Sequence, residues 1–332
     1  MKLITFRPIA SVERLGAIIN NEILDIEFAA RNCAAAAGCA LPSLPDDIIS
    51  FLRLGETAMS DARKLIAFCF ENRENIPVGS IITADTVTFA APVPRPASMR
   101  DGYAFRQHVE AARRNRGVEM IPEFDEIPIF YFTNHQAVYG PGDIPVLPLH
   151  EEQLDFELEC AVVIGKQGRN IAASEADSYI AGLTVMNDWS ARALQMKEMK
   201  LNLGPAKGKD FATSLGPWLL TLDELEPRIT RSPNGAAYNL EMTCRLNGQE
   251  VSRGNVKDMT WTFAQIIERA SYGVTLYPGD VIGSGTCGTG CFLELNGSKV
   301  FNPPLWIKPG DIVECEIESL GTLTNRIVRE VL

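Results

Sequence analysis

Glu157 and Glu159 stand two apart in the run Leu154-Asp155-Phe156-Glu157-Leu158-Glu159-Cys160-Ala161-Val162-Val163-Ile164. On a strand, positions i and i+2 face the same way. The second half of the run reads as a fully buried strand. Two carboxylates on one strand face repel, and are costly to bury unless a cation lies between them. A solvated strand end is the alternative. A second stretch, Met186-Asn187-Asp188-Trp189-Ser190-Ala191-Arg192-Ala193-Leu194-Gln195, reads as a strand running into a helical turn. Asp188, Arg192 and Gln195 are spaced to share one face of a helix. Taken alone, Asp188 and Arg192 could be an ordinary surface ion pair. With Asp101, the carboxylates number four, and no His or Cys clusters with them in the sequence. That is a hard-cation set, suited to Mg²⁺, Ca²⁺ or Mn²⁺ rather than zinc.

His108 is one of three histidines and follows Asp101 by seven residues, nearly two helical turns. On one helix the two would share a face. A general base needs an orienting partner; a structural histidine is the alternative. Gly283-Ser284-Gly285-Thr286-Cys287-Gly288 formally matches G-x-G-x-x-G. The following Phe292-Leu293-Glu294-Leu295 reads as strand, not helix, which argues against a dinucleotide loop. No nucleotide cofactor is expected. G-x-S-x-G, P-loop and H-E-x-x-H patterns are absent. Cys287 and Cys291 have no histidine neighbour in sequence, so a thiol nucleophile is weakly supported.

The elements that would position these residues follow in order. Leu3-Ile4-Thr5-Phe6, Leu15-Gly16-Ala17-Ile18-Ile19 and Glu22-Ile23-Leu24-Asp25-Ile26 read as strands, with Asn20-Asn21 suited to a hairpin turn. Asp46-Asp47 would cap a helical pattern broken at Gly55. Strands return at 81–83 and 87–89, and Pro92, Pro94 and Pro96 make a stiff linker. The linker places a domain boundary there, between a small N-terminal domain over 1–95 and a larger one over 96–332. Asp101 is a good N-cap for a helix through His108, ended by Arg113-Arg114-Asn115-Arg116-Gly117. That arginine cluster reads as a capped, solvated helix end. Strands follow at 128–132 and 180–186, a loop at 204–209, and strands at 218–221 and 238–248. Asn247-Gly248 turns a hairpin, 259–270 is an amphipathic helix, and the chain closes with strands at 311–318 and 322–331. No internal repeat or low-complexity tract appears.

The bulk properties exclude several classes. With 332 residues, 46% hydrophobic and 22% charged, the chain can bury a sizeable core. A net charge of −11 argues against nucleic-acid or anionic-membrane partners. A small anionic substrate stays compatible, because local cations can override the global field. No apolar run reaches a membrane span, and the first residues lack signal-peptide character. The eight cysteines are scattered. They read as reduced core thiols of a cytoplasmic protein.

These motifs, in this order, resemble the fumarylacetoacetate hydrolase family over about residues 97–332. Asp101-Gly102-Tyr103-Ala104-Phe105-Arg106-Gln107-His108 is similar to its D-x-Y-x-x-R-Q-H segment, and Glu157-Leu158-Glu159 to its E-x-E. Residues 186–195 are similar to N-D-W-S-A-R-x-x-Q, and Gly204-Pro205-Ala206-Lys207-Gly208-Lys209 to G-P-x-x-G-K. Gly285-Thr286 and Phe292-Leu293-Glu294-Leu295 complete the set. The resemblance implies a strand-rich α+β fold: a mixed β-sandwich or β-roll catalytic domain over 96–332 with a small β-containing N-terminal accessory domain over 1–95. It implies one divalent cation, most simply Mg²⁺, on Asp101, Glu157, Glu159 and Asp188. His108 would be the general base, oriented by Glu294. Arg192, Gln195 and Lys209 would form an oxyanion hole, and Tyr103, Tyr131 and Thr286 would touch substrate. Asp188 and Arg192 then become two halves of one site. The implied activity is hydrolysis of a carbon–carbon bond in a β-diketo acid, fumarylacetoacetate or an acylpyruvate, in aromatic catabolism such as tyrosine degradation. The alternative is decarboxylation, enol–keto isomerisation or dehydration of a 2-oxo acid. A homodimer is also implied. Gly102 departs from the aromatic common beside the aspartate. The loop from Thr286 to Glu294 is short and holds two cysteines. Residues 1–95 match only loosely.

Overall fold

The computed structural model describes residues 1–8, 12–38 and 42–331. Its two principal sheets contain seventeen strands, numbered here in chain order. They are β1 Lys2–Pro8, β2 Arg14–Ile19, β3 Glu22–Asp25, β4 Ile81–Thr83, β5 Val87–Phe89, β6 Met99–Gly102, β7 Phe130–Phe132, β8 Val138–Tyr139 and β9 Gly142–Val146. They continue as β10 Leu158–Ile164, β11 Ile180–Asp188, β12 Thr213–Thr221, β13 Glu241–Leu246, β14 Gln249–Asn255, β15 Val281–Gly283, β16 Ile312–Ile317 and β17 Gly321–Arg329. The helices used below are α1 Ile26–Asn32, α2 Ile48–Arg53, α3 Gly55–Glu71, α4 Arg106–Asn115, α5 Arg192–Glu198, α6 Phe263–Ser271 and α7 Phe292–Gly297.

The larger sheet runs β4-β3-β2-β1-β12-β11-β10-β15-β6-β7, with β5 on β1 and β8 on β12. The smaller runs β14-β13-β16-β17-β9. This is the strand-rich α+β fold with mixed sheets that the sequence predicts. The central strands of the large sheet are apolar on both faces because both faces are covered. In β10, Leu158, Cys160, Val162 and Ile164 enter a core shared with the smaller sheet. Ala161 and Val163 point the other way, into a core with the apolar faces of α1, α2 and α3. Strand β1 pairs with β12 through Lys2 and Leu220, so residues before the proline-rich stretch continue the sheet that carries the later motifs.

Several local expectations hold for the reasons that motivated them. Asn20 and Asn21 turn the hairpin between β2 and β3. Asp47 caps α2, its carboxylate accepting the Ser50 amide at 2.8 Å. Gly55 takes φ +65 at the break between α2 and α3. Asn247 and Gly248 adopt φ 51 and 80, as a two-residue hairpin turn requires.

Others are corrected. Asp101 does not cap a helix: it lies in β6, whose parallel pairing with β15 sets Asp101 against Gly283. The helix begins at Arg106 after Phe105, so Asp101 and His108 do not share a helical face. Phe292-Leu293-Glu294-Leu295 is the start of α7, not a strand. Ile26 opens α1 instead of ending a strand, and the helix expected from 259 begins at Phe263, capped by Thr262.

Candidate active site

Strand alternation delivers the carboxylates. Met99, Ala161 and Met186 belong to the core beneath α1–α3. Two residues along their strands, on the same face, stand Asp101, Glu159 and Asp188. Glu157 sits two residues before Glu159, just ahead of β10. Its backbone amide donates to Asn187 Oδ1 at 2.9 Å, locking β10 to β11 at this level. All four side chains are buried, each offering an oxygen within 4.8 Å of the others.

Gly283 makes room for them. A Cβ there would stand 2.5 Å from Asp101 Oδ1 and 3.0 Å from Glu159 Oε2. The adjoining loop is spent inside the protein. Ser284 N donates to Cys160 O at 2.8 Å, Gly285 N to Asp101 Oδ1 at 3.1 Å and Cys287 N to Leu158 O at 3.1 Å. A helix does follow this G-x-G-x-x-G loop, contrary to the sequence reading. Its first turn is instead capped by Asp155, which accepts the amides of Phe292 at 2.7 Å and Leu293 at 2.9 Å.

Two buried cations flank the carboxylates. Lys209 Nζ donates to Asp188 Oδ2 at 2.8 Å and to Glu157 Oε2. Arg192 opens α5, where it donates to Glu157 Oε1 at 2.7 Å, Asp155 Oδ2 at 2.8 Å and Gln195 Oε1 at 2.9 Å. Asp188 ends β11, so the three residues first placed on one helix divide between strand and helix. Arg192 pairs with Asp155 and Glu157. Tyr131 on β7 donates to Asp188 Oδ2 at 2.5 Å, and Thr286 Oγ1 to Glu159 Oε1 at 3.4 Å. His108 on α4 meets Glu294 on α7, Nδ1 to Oε2 at 2.6 Å. The Thr289 amide donates to the other Glu294 oxygen at 2.9 Å. Tyr103 stands edge-on to the His108 ring at 5.8 Å between centroids.

The four carboxylates are not electrostatically alike. Burial, then the charge of Asp188, pushes Asp101 up to about 7. Burial, then Asp101, pushes Glu159 well above the usual carboxylate range. Burial also raises Asp188, against the pull of Lys209. For Glu157, burial is outweighed by Lys209 and Arg192, which hold it at about 2. Burial likewise opposes the Lys209 charge, yet Asp188 and Glu157 win and raise the ammonium above its ordinary value. Glu159 Oε2 and Asp188 Oδ1 are buried with no hydrogen-bond partner. Crowded carboxylates with orphaned oxygens, in an all-oxygen set, fit a hard divalent cation.

Asp155 and Gly283, which support and make room for this cluster, are the residues that sequence reasoning missed. Asp155 had a signal, because it extends the Glu157–Glu159 alternation by one more step. Gly283 had none beyond lying in the glycine-rich loop.

The family described as Fumarylacetoacetate (FAA) hydrolase C-terminal matches residues 97–328. The mitochondrial oxaloacetate tautomerase Fahd2a of Rattus norvegicus is 36% identical over 291 residues, covering 86% of this chain and 81% of that protein. A fumarylacetoacetate hydrolase domain-containing protein 2 homolog of Dictyostelium discoideum is 31% identical over 337 residues, covering 98% and 97%. A maleylpyruvate hydrolase from Sphingobium sp. SYK-6, solved with manganese(II) and pyruvate, superposes with a TM-score of 0.65. It is 21% identical, with all of both chains covered. No described helix is long and apolar enough to cross a membrane.

Proposed function

Because the chain belongs to the fumarylacetoacetate hydrolase family, we propose that it is a divalent-metal-dependent tautomerase interconverting the enol and keto forms of a small 2-oxo diacid of the oxaloacetate class. The observation that carries this reading is the 36% identity, over 86% of the chain, to a relative named for that reaction. The expectation of carbon–carbon hydrolysis gives way to its isomerisation alternative on the same ground.

Asp101, Glu157, Glu159 and Asp188 would hold the cation. A divalent cation held there supplies Lewis-acid polarisation of the 2-oxo group. Mg²⁺ is the proposed ion, with Mn²⁺ and Ca²⁺ as candidates. His108, aligned through Nδ1 by Glu294, takes a proton from C3 of the keto acid. The C–H pair becomes the C2–C3 double bond, the carbonyl pair moves onto the C2 oxygen, which takes a proton from solvent, and His108 gives up its own to solvent. Lys209 and Arg192 hold fixed positive charge where that oxygen becomes anionic, with Gln195 bracing Arg192. Tyr103, Tyr131 and Thr286 orient the carboxylate and carbonyl groups. The proposal includes a small anionic substrate, no nucleotide, nucleic-acid or membrane partner, and a homodimer. It keeps the cytoplasm as compartment, beside relatives whose names say mitochondrial.

The test follows enol-oxaloacetate by its ultraviolet absorbance while pyruvate release is assayed in parallel. Acceleration of enol loss without pyruvate is expected, and His108→Ala should slow it by about 10²-fold or more. No acceleration over buffer would sink the proposal. The second reading, hydrolysis of an acylpyruvate, is favoured by the 2.6 Å His108–Glu294 pair, which suits water activation equally. Cleavage of acylpyruvates faster than enol loss would establish it instead.

A further inference from the structure

Cys291 is a buried thiol that the chemistry above does not use. It is the residue before α7, and Glu294 lies one helical turn on, so the two face the same side of the helix start. His108 reaches that side from α4. One ligand atom from each of His108, Cys291 and Glu294 lies within 4.8 Å of the others, and all three residues are buried. The Thr289 amide already holds Glu294 Oε1, which leaves Oε2 as the oxygen to turn.

We propose that His108, Cys291 and Glu294 form a second, softer metal site, which takes Zn²⁺ or a cation of its class and thereby withdraws His108 and Glu294 from proton transfer. Tetrahedral zinc bonds of about 2.0–2.3 Å place ligand atoms about 3.3–3.8 Å apart. The 2.6 Å between histidine and glutamate must open by under about 1.2 Å to enter that range, and every pair of ligand atoms in the group already lies within 4.8 Å. On binding, the thiol gives its proton to solvent, the proton of the Nδ1–Oε2 hydrogen bond passes through solvent to His108 Nε2, and that hydrogen bond is replaced by two bonds to metal. Nitrogen and thiolate ligands select zinc-class ions, whereas the all-oxygen quartet selects hard ones. The two sites therefore separate by softness. Binding stands on the ligand geometry alone; inhibition rests in addition on the proposed role of His108.

Cobalt(II) separates the sites spectroscopically, because only a cysteine ligand gives a thiolate-to-cobalt charge-transfer band. Full-length protein saturated with Mg²⁺ is titrated with Co²⁺. One equivalent is expected to raise the band in the wild type and in Glu157→Gln, and none in Cys291→Ser. Cys291→Ala should keep basal turnover while its sensitivity to Zn²⁺ falls by about tenfold or more. Cobalt bound by the wild type without the band, or a band that survives Cys291→Ser, would overturn the site. If the Cys291 variants misfold, Glu294→Gln must weaken Co²⁺ affinity, and unchanged affinity would overturn it equally. A normal band without inhibition would overturn the regulatory half and count against His108 in turnover, while leaving the tautomerase assay to stand or fall separately.

Discussion

Glu157 and Glu159 are two residues apart, yet their environments push their carboxyl groups in opposite directions. Glu157 has two buried cations within hydrogen-bond reach, whereas Glu159 has Asp101 and a 3.4 Å contact from Thr286. Asp101, which burial and Asp188 push upward, sets a pH dependence. Asp101 titrates at about 7, against an ordinary 3.8, so between these values the folded protein keeps a proton that the unfolded chain has lost. Its contribution to stability without metal is full below about pH 4 and is lost as the pH rises through about 7. A divalent cation competes with that proton, so its affinity should climb over the same window and its binding should release protons. The increase in Tm on adding Mg²⁺ should therefore be larger at about pH 8 than at about pH 6. Calorimetry in buffers of unlike ionisation heat should show the released protons, and a pH-independent gain would refute this. Asp155 is the other residue to probe. It neutralises Arg192 while capping α7, so Asp155→Ala leaves a buried guanidinium short of a partner. A loss of about 3–5 kcal/mol is expected in denaturant titration. A loss under about 1 kcal/mol would show that Glu157 alone suffices for Arg192.

Pairing between elements brings together residues that the sequence keeps far apart. Asp101 and Glu159 come within reach because β15 runs between β6 and β10 and presents Gly283 to both. Gly283→Ala should therefore leave the sheet intact by circular dichroism and still weaken divalent-cation binding by about tenfold or more. Wild-type affinity in that variant would mean the strands can spread at no cost. The same pairing explains what could be read early. The Glu157–Glu159 alternation, the hairpin turns and the Asp47 cap are local, and local rules place them. Asp101 is also a good local N-cap, but parallel pairing with β15 overrides that preference. Phe292-Leu293-Glu294-Leu295 alternates like a strand, and becomes helix because Asp155, 137 residues earlier, caps its first amides. The four carboxylates that the structure gathers were legible from residue types and order. The supports that come from distant strands, Asp155 and Gly283, were not.

At the scale of the whole molecule, the described residues among the first 95 bear on the site without adding a carboxylate to its cluster. The sheet face that carries Asp101, Glu159 and Asp188 at one end is covered at the other by α1, α2 and α3. Ala161, Val163, Met186, Leu215, Leu219 and Val281 are all within 1% of full burial beneath them or beside β1. Each large aliphatic side chain so buried is worth about 1.5–3 kcal/mol. Uncovering the five large ones together would cost about 7–15 kcal/mol, as much as the roughly 5–15 kcal/mol by which whole domains are stable. The accessory segment is therefore proposed as a structural half of the catalytic unit, even though its sequence reads as a separate small domain ahead of Pro96. Residues 96–332 expressed alone should be insoluble or bind hydrophobic dyes as an expanded state, and should lose divalent-cation binding. Co-expression of 1–95 as a separate chain should restore both properties by rebuilding the β1–β12 pairing. A soluble, monomeric 96–332 fragment with full-length Mg²⁺ affinity would show that the metal-bearing strands hold their positions without the cover.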